Sequence, residues 1–146
     1  MSIFKHKAAI QIRFKDTDAM GHVNNANFFT YIETARIHYF NEVLGPRLEW
    51  RKQDGVILAR VELDYRQPIL FEDKICVYTR CSRIGTKSLD LSYAIARDNA
   101  SLDDKRNIFA EGISVLVGFD YTTQKSVELP KDRVKLIEDY EGVPLR

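Results

Sequence analysis

The sequence predicts an α+β fold in which an antiparallel five-stranded sheet wraps around one long central helix. A strand-like segment and a long helical pattern come first, and the strong segments after residue 55 are typical of strands. These strands follow one another closely, which favours antiparallel pairing because parallel pairs need long crossovers. An apolar helix must bury itself against an apolar sheet face, so we expect the sheet to curl around the helix.

A polar loop, DTDAMGHVNN, separates the first strand from the helix. The strand is expected over Lys7 to Phe14, where apolar and polar residues alternate weakly. Asn24 or Asn25 can cap the start of the helix, and Gly45-Pro46 ends it. The helix itself is predicted from apolar residues at spacings of three and four, which are Phe28, Phe29, Ile32, Ala35, Tyr39, Phe40 and Val43.

Four strands and a short helix complete the chain. Alternation and β-forming residues predict strands over residues 57–65, 74–81, 89–96 and 108–120. Gly85-Thr86 is expected to form a hairpin turn between the second and third of them. One face of residues 57–65 carries Ile57, Ala59, Val61, Leu63 and Tyr65, and the apolar face of the last strand carries Phe109, Ile113, Val115, Val117 and Phe119. Pro130 opens a short helix over roughly 131–139.

Composition and charge exclude several classes of protein. A chain of 146 residues with 45% hydrophobic residues is ordinary for one domain and can build its own core. Its 22 basic and 21 acidic residues nearly cancel, which argues against a nucleic-acid-coating protein. We find no signal peptide and no membrane span. Cys76 and Cys81 lie an odd number of positions apart in one strand and cannot pair there, so a reduced, cytoplasmic location is expected.

Residues 13–36, RFKDTDAMGHVNNANFFTYIETAR, resemble the signature of the 4-hydroxybenzoyl-CoA thioesterase-like proteins, which have the hotdog fold. The matching parts are Asp16-Thr17-Asp18, Gly21 and the helical step from Glu33 to Arg36. The segment HVNN at residues 22–25 also resembles long-chain acyl-CoA thioesterases and plant acyl-carrier-protein thioesterases. The pattern extends over about residues 8–130 and implies a thioesterase acting on an acyl-CoA, without a cofactor.

The resemblance also implies roles for individual residues. The catalytic carboxylate of the family is the second acid of the Asp-x-Asp pair, which is Asp18 here. Its oxyanion donor is a backbone amide at the helix start, at about Asn25. Lys87-Ser88 occupies the place where some members contact the CoA nucleotide, and Arg83 flanks the same hairpin. One departure is Met20, which stands where the plant enzymes have an Asn whose role Asn24 or Asn25 would have to take.

Thioester hydrolysis suits these residue types. A carboxylate such as Asp18 can attack the thioester or activate water, and His22 could hydrogen-bond Asp18 or orient the water. A helix N-terminus presents unpaired N–H groups and a positive dipole end toward developing negative charge. The thiolate of CoA leaves readily, so no strong general acid is needed.

Each of these residues also has an ordinary structural interpretation. An Asp before a helix is usually a loop or cap residue, and Asn24 and Asn25 are caps in the first place. Lys87 and Arg83 are ordinary charges of a turn. Asp16 is expected to be structural, pairing near Arg13 or capping the loop.

Several alternatives to an acyl-CoA thioesterase remain. Asp18 and His22 supply too few ligands for zinc, which needs three or four, so no metal is expected. A hotdog hydratase has an Asp and a His five residues apart, whereas Asp18 and His22 are four apart. An acyl-carrier-protein thioesterase and a non-catalytic acyl-binding protein stay open. Because one helix leaves the sheet partly uncovered, and because the family pairs its subunits, we expect a homodimer or a homotetramer made of two dimers.

Overall fold

The computed structural model describes residues 3–45 and 54–146. Its elements are β1 (His6–Ile10), a 3-10 turn (Phe14–Asp16), α1 (Asn25–Leu44), β2 (Gly55–Tyr65), β3 (Ile75–Ile84), β4 (Ser88–Arg97), a second 3-10 turn (Lys105–Asn107), β5 (Ile108–Asp120), β6 (Lys125–Ser126) and α2 (Lys131–Glu141). The predicted order of strand, long helix, four strands and short helix is confirmed. Pro46, assigned with Gly45 to the end of α1, lies outside the described residues.

The strands form one antiparallel sheet in the order β1-β3-β4-β5-β2. A sixth strand, β6, adds two residues beside the end of β5, where five strands were predicted; two residues are too few to show an alternating pattern. The α1 helix packs across β1, β3 and β4, and α2 packs on α1 and β3. This curled sheet around a long helix confirms the expected hotdog architecture.

The first strand is shorter than predicted. It ends at Ile10 instead of Phe14, and Phe14 begins the first 3-10 turn with a side chain that is 82% exposed. The partner strand β3 begins at Ile75, opposite Ile10, so the pairing ends there. Beyond it the carboxylate of Asp16 accepts a hydrogen bond from the Arg13 backbone N–H at 3.0 Å, which holds the chain in the 3-10 turn.

The apolar row on β5 does not form the buried face of that strand. Ile113, Val115, Val117 and Phe119 are only partly buried, whereas the alternate residues Ser114 and Leu116 are buried. Phe109 is buried as predicted, but so is its neighbour Ala110. A register shift against β4 at this point breaks the simple alternation. The outer face of β5 therefore carries a row of partly exposed apolar side chains.

A second register shift interrupts β2 between Leu58 and Arg60. Val61 and Leu63, after the shift, pack against the core as their alternation predicted. In the part of β2 before the shift, the residue that packs against the core is Val56. Ile57 and Ala59 therefore do not share a buried face with Val61. Leu58 stays 44% exposed, and β2 forms one edge of the five-strand path, with no strand on its outer side among residues 3–45 and 54–146.

The two cysteines are free, as their spacing predicted, and both are buried. Cys81 belongs to the core cluster beneath α1, whereas Cys76, of opposite parity, does not. Burial raises the pKa of the Cys76 thiol to about 11 and that of Cys81 to about 12. Both thiols are therefore protonated and unreactive near neutral pH.

No helix within residues 3–45 and 54–146 combines the length and the apolar character needed to cross a bilayer. The α1 helix is 20 residues long, but its sequence includes charged and amide side chains. Its buried side chains meet the sheet and α2 instead.

Candidate active site

Asp16 anchors the loop that carries the predicted site. Its buried carboxylate accepts hydrogen bonds from the Arg13 backbone N–H (3.0 Å) and the Tyr31 hydroxyl (2.9 Å), and the Arg13 guanidinium lies 3.5 Å away. Burial alone would raise the pKa of this carboxyl, but the bonds from Arg13 and Tyr31 outweigh it and hold the pKa below its ordinary value. Asp16 is therefore a charged structural residue, and the predicted pairing with Arg13 is confirmed.

The backbone of Asp16 also holds the start of α1. Its carbonyl oxygen accepts hydrogen bonds from the Asn24 N–H (2.8 Å) and from the Asn27 side-chain amide (2.9 Å). The Val23 N–H donates to the carbonyl of Ile69 at 2.8 Å. Residues 17–24 are thus tied at both ends and bring the loop to the N-terminus of the helix.

Asp18 lies in a tight turn of this loop and is exposed. Its Oδ1 accepts hydrogen bonds from the backbone N–H groups of Met20 (2.9 Å) and His22 (3.2 Å). Gly21 completes the turn with a φ of +78°, in the region that favours glycine. Oδ2 of Asp18 has no partner within residues 3–45 and 54–146. One carboxylate oxygen therefore orders the loop while the other stays available.

His22 is held beside Asp18 by its backbone. The Asp18 N–H donates to the His22 carbonyl at 2.8 Å, and His22 forms an isolated bridge with Leu70. The two residues are joined through the main chain, and the described contacts include no bond between the imidazole and the Asp18 carboxylate. The partly buried ring is adjacent to Asp18 in space without being fixed by it.

The helix start matches the predicted cap. The Asn24 side chain accepts a hydrogen bond from the Ala26 N–H at 2.9 Å, so Asn24 is the cap and its amide oxygen is already engaged. Asn25 is the first residue of α1 and is exposed, and its carbonyl accepts a hydrogen bond from the Tyr65 hydroxyl at 2.9 Å. Its own N–H meets no acceptor among the described residues. This N–H sits at the positive end of a 20-residue helix.

Exposed apolar side chains concentrate in the segments around this loop. We call them the site-flanking patch, and they are Phe14, Met20, Phe29, Tyr65, Leu70 and Phe71. The rings of Phe14 and Phe71 meet edge to face, with 6.0 Å between their centroids. The patch is therefore continuous between the segment of Phe14 and that of Phe71. Met20 is 78% exposed beside Asp18. Such a concentration of exposed apolar side chains marks a binding or contact face.

The hairpin residues lie at the other end of the sheet. In the pairing of β1 with β3, His6 lies beside Thr79 and Ile10 lies beside Ile75. The end of β1 that leads into the Asp18 loop therefore lies beside the start of β3. The hairpin follows Ile84, about 30 Å farther along β3 at the ordinary rise of a strand. One chain therefore does not bring Lys87, Ser88 and Arg83 together with Asp18, His22 and Asn25.

The hairpin residues also differ in how free they are. The Arg83 guanidinium binds both carboxylate oxygens of Asp90 at 3.0 Å and donates to the Ser88 hydroxyl at 2.9 Å. The Lys87 side chain is exposed and has no partner in the described part of the chain. Arg80 faces the neighbouring strand position of Ser92, and its Nε is buried without a described partner. Lys87 is therefore the most available of these cations.

Two residues of the site escaped the sequence interpretation. Tyr31 binds Asp16 across 15 positions, and Tyr65 binds Asn25 across 40. Tyr31 lies beside the apolar stripe of the helix, which is a weak signal for a buried hydroxyl needing a partner. Tyr65 offered no such signal, because its partner comes from a distant segment. Asp18 and His22 gather no third metal ligand in residues 3–45 and 54–146.

Comparisons with known proteins give one consistent result. The sequence model of the thioesterase-like superfamily matches residues 12–137. The long-chain acyl-CoA thioesterase FadM of Escherichia coli K12 is 24% identical over 122 residues, which are 82% of this chain and 87% of that protein. YsmA of Bacillus subtilis strain 168 is 32% identical over 84 residues, but the match spans only 58% of this chain and 56% of YsmA.

Among solved structures, a thioesterase from Thermus thermophilus, crystallised in complex with coenzyme A and Zn, has a TM-score of 0.83 to this chain. The two share 32% sequence identity, and the match covers 99% of this chain and 100% of that one. Nearly the whole chain therefore takes part in the similarity.

Proposed function

Because this chain belongs to the thioesterase-like superfamily and is a thioester hydrolase, we propose that its substrate is an acyl-CoA, which is cleaved at the loop of Asp18. The observation that carries this proposal is the pairing of two available groups on one ordered loop. These are the free Oδ2 of Asp18 and the free N–H of Asn25 at the helix start. The similarity to a thioesterase solved with coenzyme A supports the CoA part of the substrate.

Asp18 can drive the cleavage in two ways. As a general base, Oδ2 takes a proton from water while the water oxygen bonds to the thioester carbonyl carbon. As a nucleophile, Oδ2 itself bonds to that carbon, and water later hydrolyses the mixed anhydride and restores the carboxylate. In both routes the carbonyl electrons move onto oxygen and then return as the C–S bond breaks. The CoA thiolate leaves with the bonding electron pair of the C–S bond, while the oxyanion pair re-forms the carbonyl.

The helix start stabilises the oxygen that becomes negative. The Asn25 N–H points out of the first turn of α1, where the peptide dipoles sum to a partial positive charge. Asn24 contributes by capping the Ala26 N–H, which fixes the first turn rather than touching the substrate. His22 follows Asp18 closely enough to orient a water molecule. We assign His22 this role, which is secondary to the part that Asp18 plays as base or nucleophile.

The site-flanking patch supplies the apolar contacts for the acyl group. Phe14, Met20, Leu70 and Phe71 are exposed around the Asp18 loop and would be covered by a long acyl chain or by a second subunit. The similarity to FadM, whose name is that of a long-chain acyl-CoA thioesterase, favours a fatty acyl group over an aromatic one.

We further propose a homodimer in which two copies pair along β2. This strand of 11 residues is an edge of the five-strand path, and an unpaired edge of that length invites pairing with another chain. A two-fold axis would pair the two β2 strands antiparallel. The Tyr65 end of one copy, beside its Asp18 loop, would then meet the Gly55 end of the other copy.

This arrangement would bring the hairpin cations to the catalytic loop. In the sheet, β4 lies two strands from β2, and Ser88 pairs with Val117 near the Gly55 end. At the usual strand spacing the hairpin of the second copy would lie about 10 Å from the shared edge. Lys87 and Ser88 of one copy could then contact the CoA nucleotide of a substrate whose thioester lies at Asp18 of the other.

A panel of acyl-CoA esters tests the proposed function. Chains of increasing length and benzoyl-type esters are incubated with the protein, and release of the free thiol is measured. We expect activity that rises toward long fatty acyl groups and is nearly lost in Asp18→Asn. Thiol release from none of the esters would contradict the proposal, and activity restricted to acyl-carrier-protein substrates would identify the alternative thioesterase class.

A further inference from the structure

His6, His38 and Glu42 form a cluster outside the proposed catalytic site. His6 opens β1, and His38 and Glu42 lie four positions apart on one face of α1. Nε2 of His6 lies 2.8 Å from Nδ1 of His38, and one ligand atom from each of the three residues lies within 4.8 Å of the others. It is the only such grouping in residues 3–45 and 54–146.

The cluster is far from the Asp18 loop. His38 is 13 positions beyond Asn25 on the same helix, which corresponds to about 20 Å along the axis. The proposed hydrolysis uses none of the three side chains. The cluster therefore needs an explanation of its own.

The surroundings hold two of the three groups in place. His6 is 1% exposed, and its ring packs against that of Tyr39 in a T-shaped arrangement, with 5.4 Å between the ring centroids. Tyr140, on α2, donates its hydroxyl to Oε2 of Glu42 at 2.7 Å, which leaves Oε1 of that carboxylate for another partner. A hydrogen bond of this kind orients a carboxylate for metal binding. The cluster thus joins β1, α1 and α2.

The described polar contact of the His6 ring is the one from its Nε2 to His38, within the cluster. Its Nδ1 is buried and meets no hydrogen-bond partner in the described part of the chain. Nε2, the other ring nitrogen of His6, faces His38 and is the nitrogen placed to bind an ion within the cluster.

We propose that His6, His38 and Glu42 bind a divalent first-row transition metal, with Zn²⁺ as the expected ion. Two imidazoles and one carboxylate suit zinc and its neighbours, whereas Mg²⁺ and Ca²⁺ prefer oxygen ligands alone. Bonds of about 2.1 Å in a tetrahedral site separate ligand atoms by roughly 3.4 Å. His6 and His38 need to part by about half an ångström for this, and the exposed side chain of His38 is free to move.

The site has three protein ligands, and water or another small ligand completes the coordination. Because the proton of His6 would then reside on the unpaired Nδ1, we expect weaker binding than at four-ligand structural zinc sites. The bound ion would tie the start of β1 to α1, so it would stabilise the fold without taking part in hydrolysis.

Metal titration of the purified protein, freed of any affinity tag and chelator, tests the site. We expect one Zn²⁺ per chain by calorimetry, and a visible absorption spectrum of tetrahedral type with Co²⁺. His38→Ala and Glu42→Gln change exposed residues and should weaken binding at least tenfold. Tyr140→Phe should weaken it by about 10-fold or more, the size of effect seen for orienting partners.

His22→Ala is the matched control, because His22 lies in the loop before α1, far from the cluster on the C-terminal half of that helix. It should bind Zn²⁺ as tightly as the unchanged protein, and added Zn²⁺ should raise the melting temperature of both but not of His38→Ala. The site is disproved if the unchanged protein takes up no ion, if His38→Ala and Glu42→Gln bind normally, or if His22→Ala loses the ion. Circular dichroism checks that each variant is folded, and none of these readouts depends on thioesterase activity.

Discussion

The hydroxyl of Tyr31 donates a hydrogen bond of 2.9 Å to Oδ2 of Asp16, fifteen positions earlier in the chain. Both side chains are buried, and Asp16 in turn accepts the backbone hydrogen bond of Arg13 at the start of the first 3-10 turn. Burial and the contact with the Asp16 carboxylate raise the pKa of Tyr31. This pair connects the Asp-x-Asp loop to the body of α1 and so positions Asp18.

Tyr31→Phe should destabilise the protein. The lost hydrogen bond reaches a buried charge, for which about 1.5–3 kcal/mol is typical. Chemical denaturation of the variant and the unchanged protein measures the difference in free energy of unfolding. Tyr121→Phe is the control, because its hydroxyl bonds only to the Val56 carbonyl at an exposed position, and it should change stability by less than about 0.5 kcal/mol. Equal effects of the two changes would contradict the special role of Tyr31.

Asp16 should make stability depend on acid pH. Its pKa in the folded protein lies below the value of about 3.9 expected when unfolded. A lowered folded pKa gives stability that is fully present above pH 4 and is lost as the pH falls through the folded pKa. The free-energy difference between the unchanged protein and Asp16→Asn should therefore shrink as the pH is lowered below about 4. A difference that stays constant over this range would disprove the linkage.

Asp18→Asn should reduce kcat by about 100-fold or more, in line with the contribution of a general base. Asparagine keeps an oxygen that can accept the bonds of the Met20 and His22 backbones, so the loop should keep its shape. Asp132→Asn, an exposed residue of α2, is the control and should leave activity unchanged. His22→Ala should cost less activity than Asp18→Asn. A larger loss in His22→Ala would make His22 the base.

Lys87→Ala should raise KM for acyl-CoA about tenfold at low salt, because a charge-assisted phosphate contact is worth about 1.5–3 kcal/mol. The value of kcat should change little, since the contact is the same in ground state and transition state. Added salt should reduce the difference, and a thioester without the nucleotide should not show it. Arg83→Ala should have a smaller effect on KM, because Asp90 already neutralises Arg83. If neither change alters KM, the hairpin is not the nucleotide site.

Leu58→Lys should weaken the proposed dimer. Leu58 is 44% exposed at the register shift of β2, and a lysine there would place a charge on the shared edge, which disfavours pairing between edge strands. Light scattering should show a shift toward monomer, with a parallel loss of acyl-CoA hydrolysis. Leu136→Lys, at a residue of similar exposure on α2, should leave both unchanged. A stable, active monomer of the unchanged protein would rule the dimer out.

Local patterns determined the types and order of the elements. The spacing of apolar residues from Phe28 to Val43 is set by the 3.6-residue turn of a helix, and Asn24 caps it because a short polar side chain can reach the Ala26 N–H. The hairpin at Gly85-Thr86 and the Arg13–Asp16 contact are local in the same way. Such features depend only on residues a few positions apart, so the sequence alone predicted them.

The tertiary structure decided which faces and ends of these elements meet. A register shift beside Ala110 turned the apolar row of β5 outward, and no single strand carries the information for a shift between two strands. The antiparallel pairing of β1 with β3 placed Lys87 at the opposite end of the sheet from Asp18. The packing of α1 on β1 set His6 against His38, 32 positions away, because a strand and a helix that pack together bring distant residues into a contact that sequence spacing does not show.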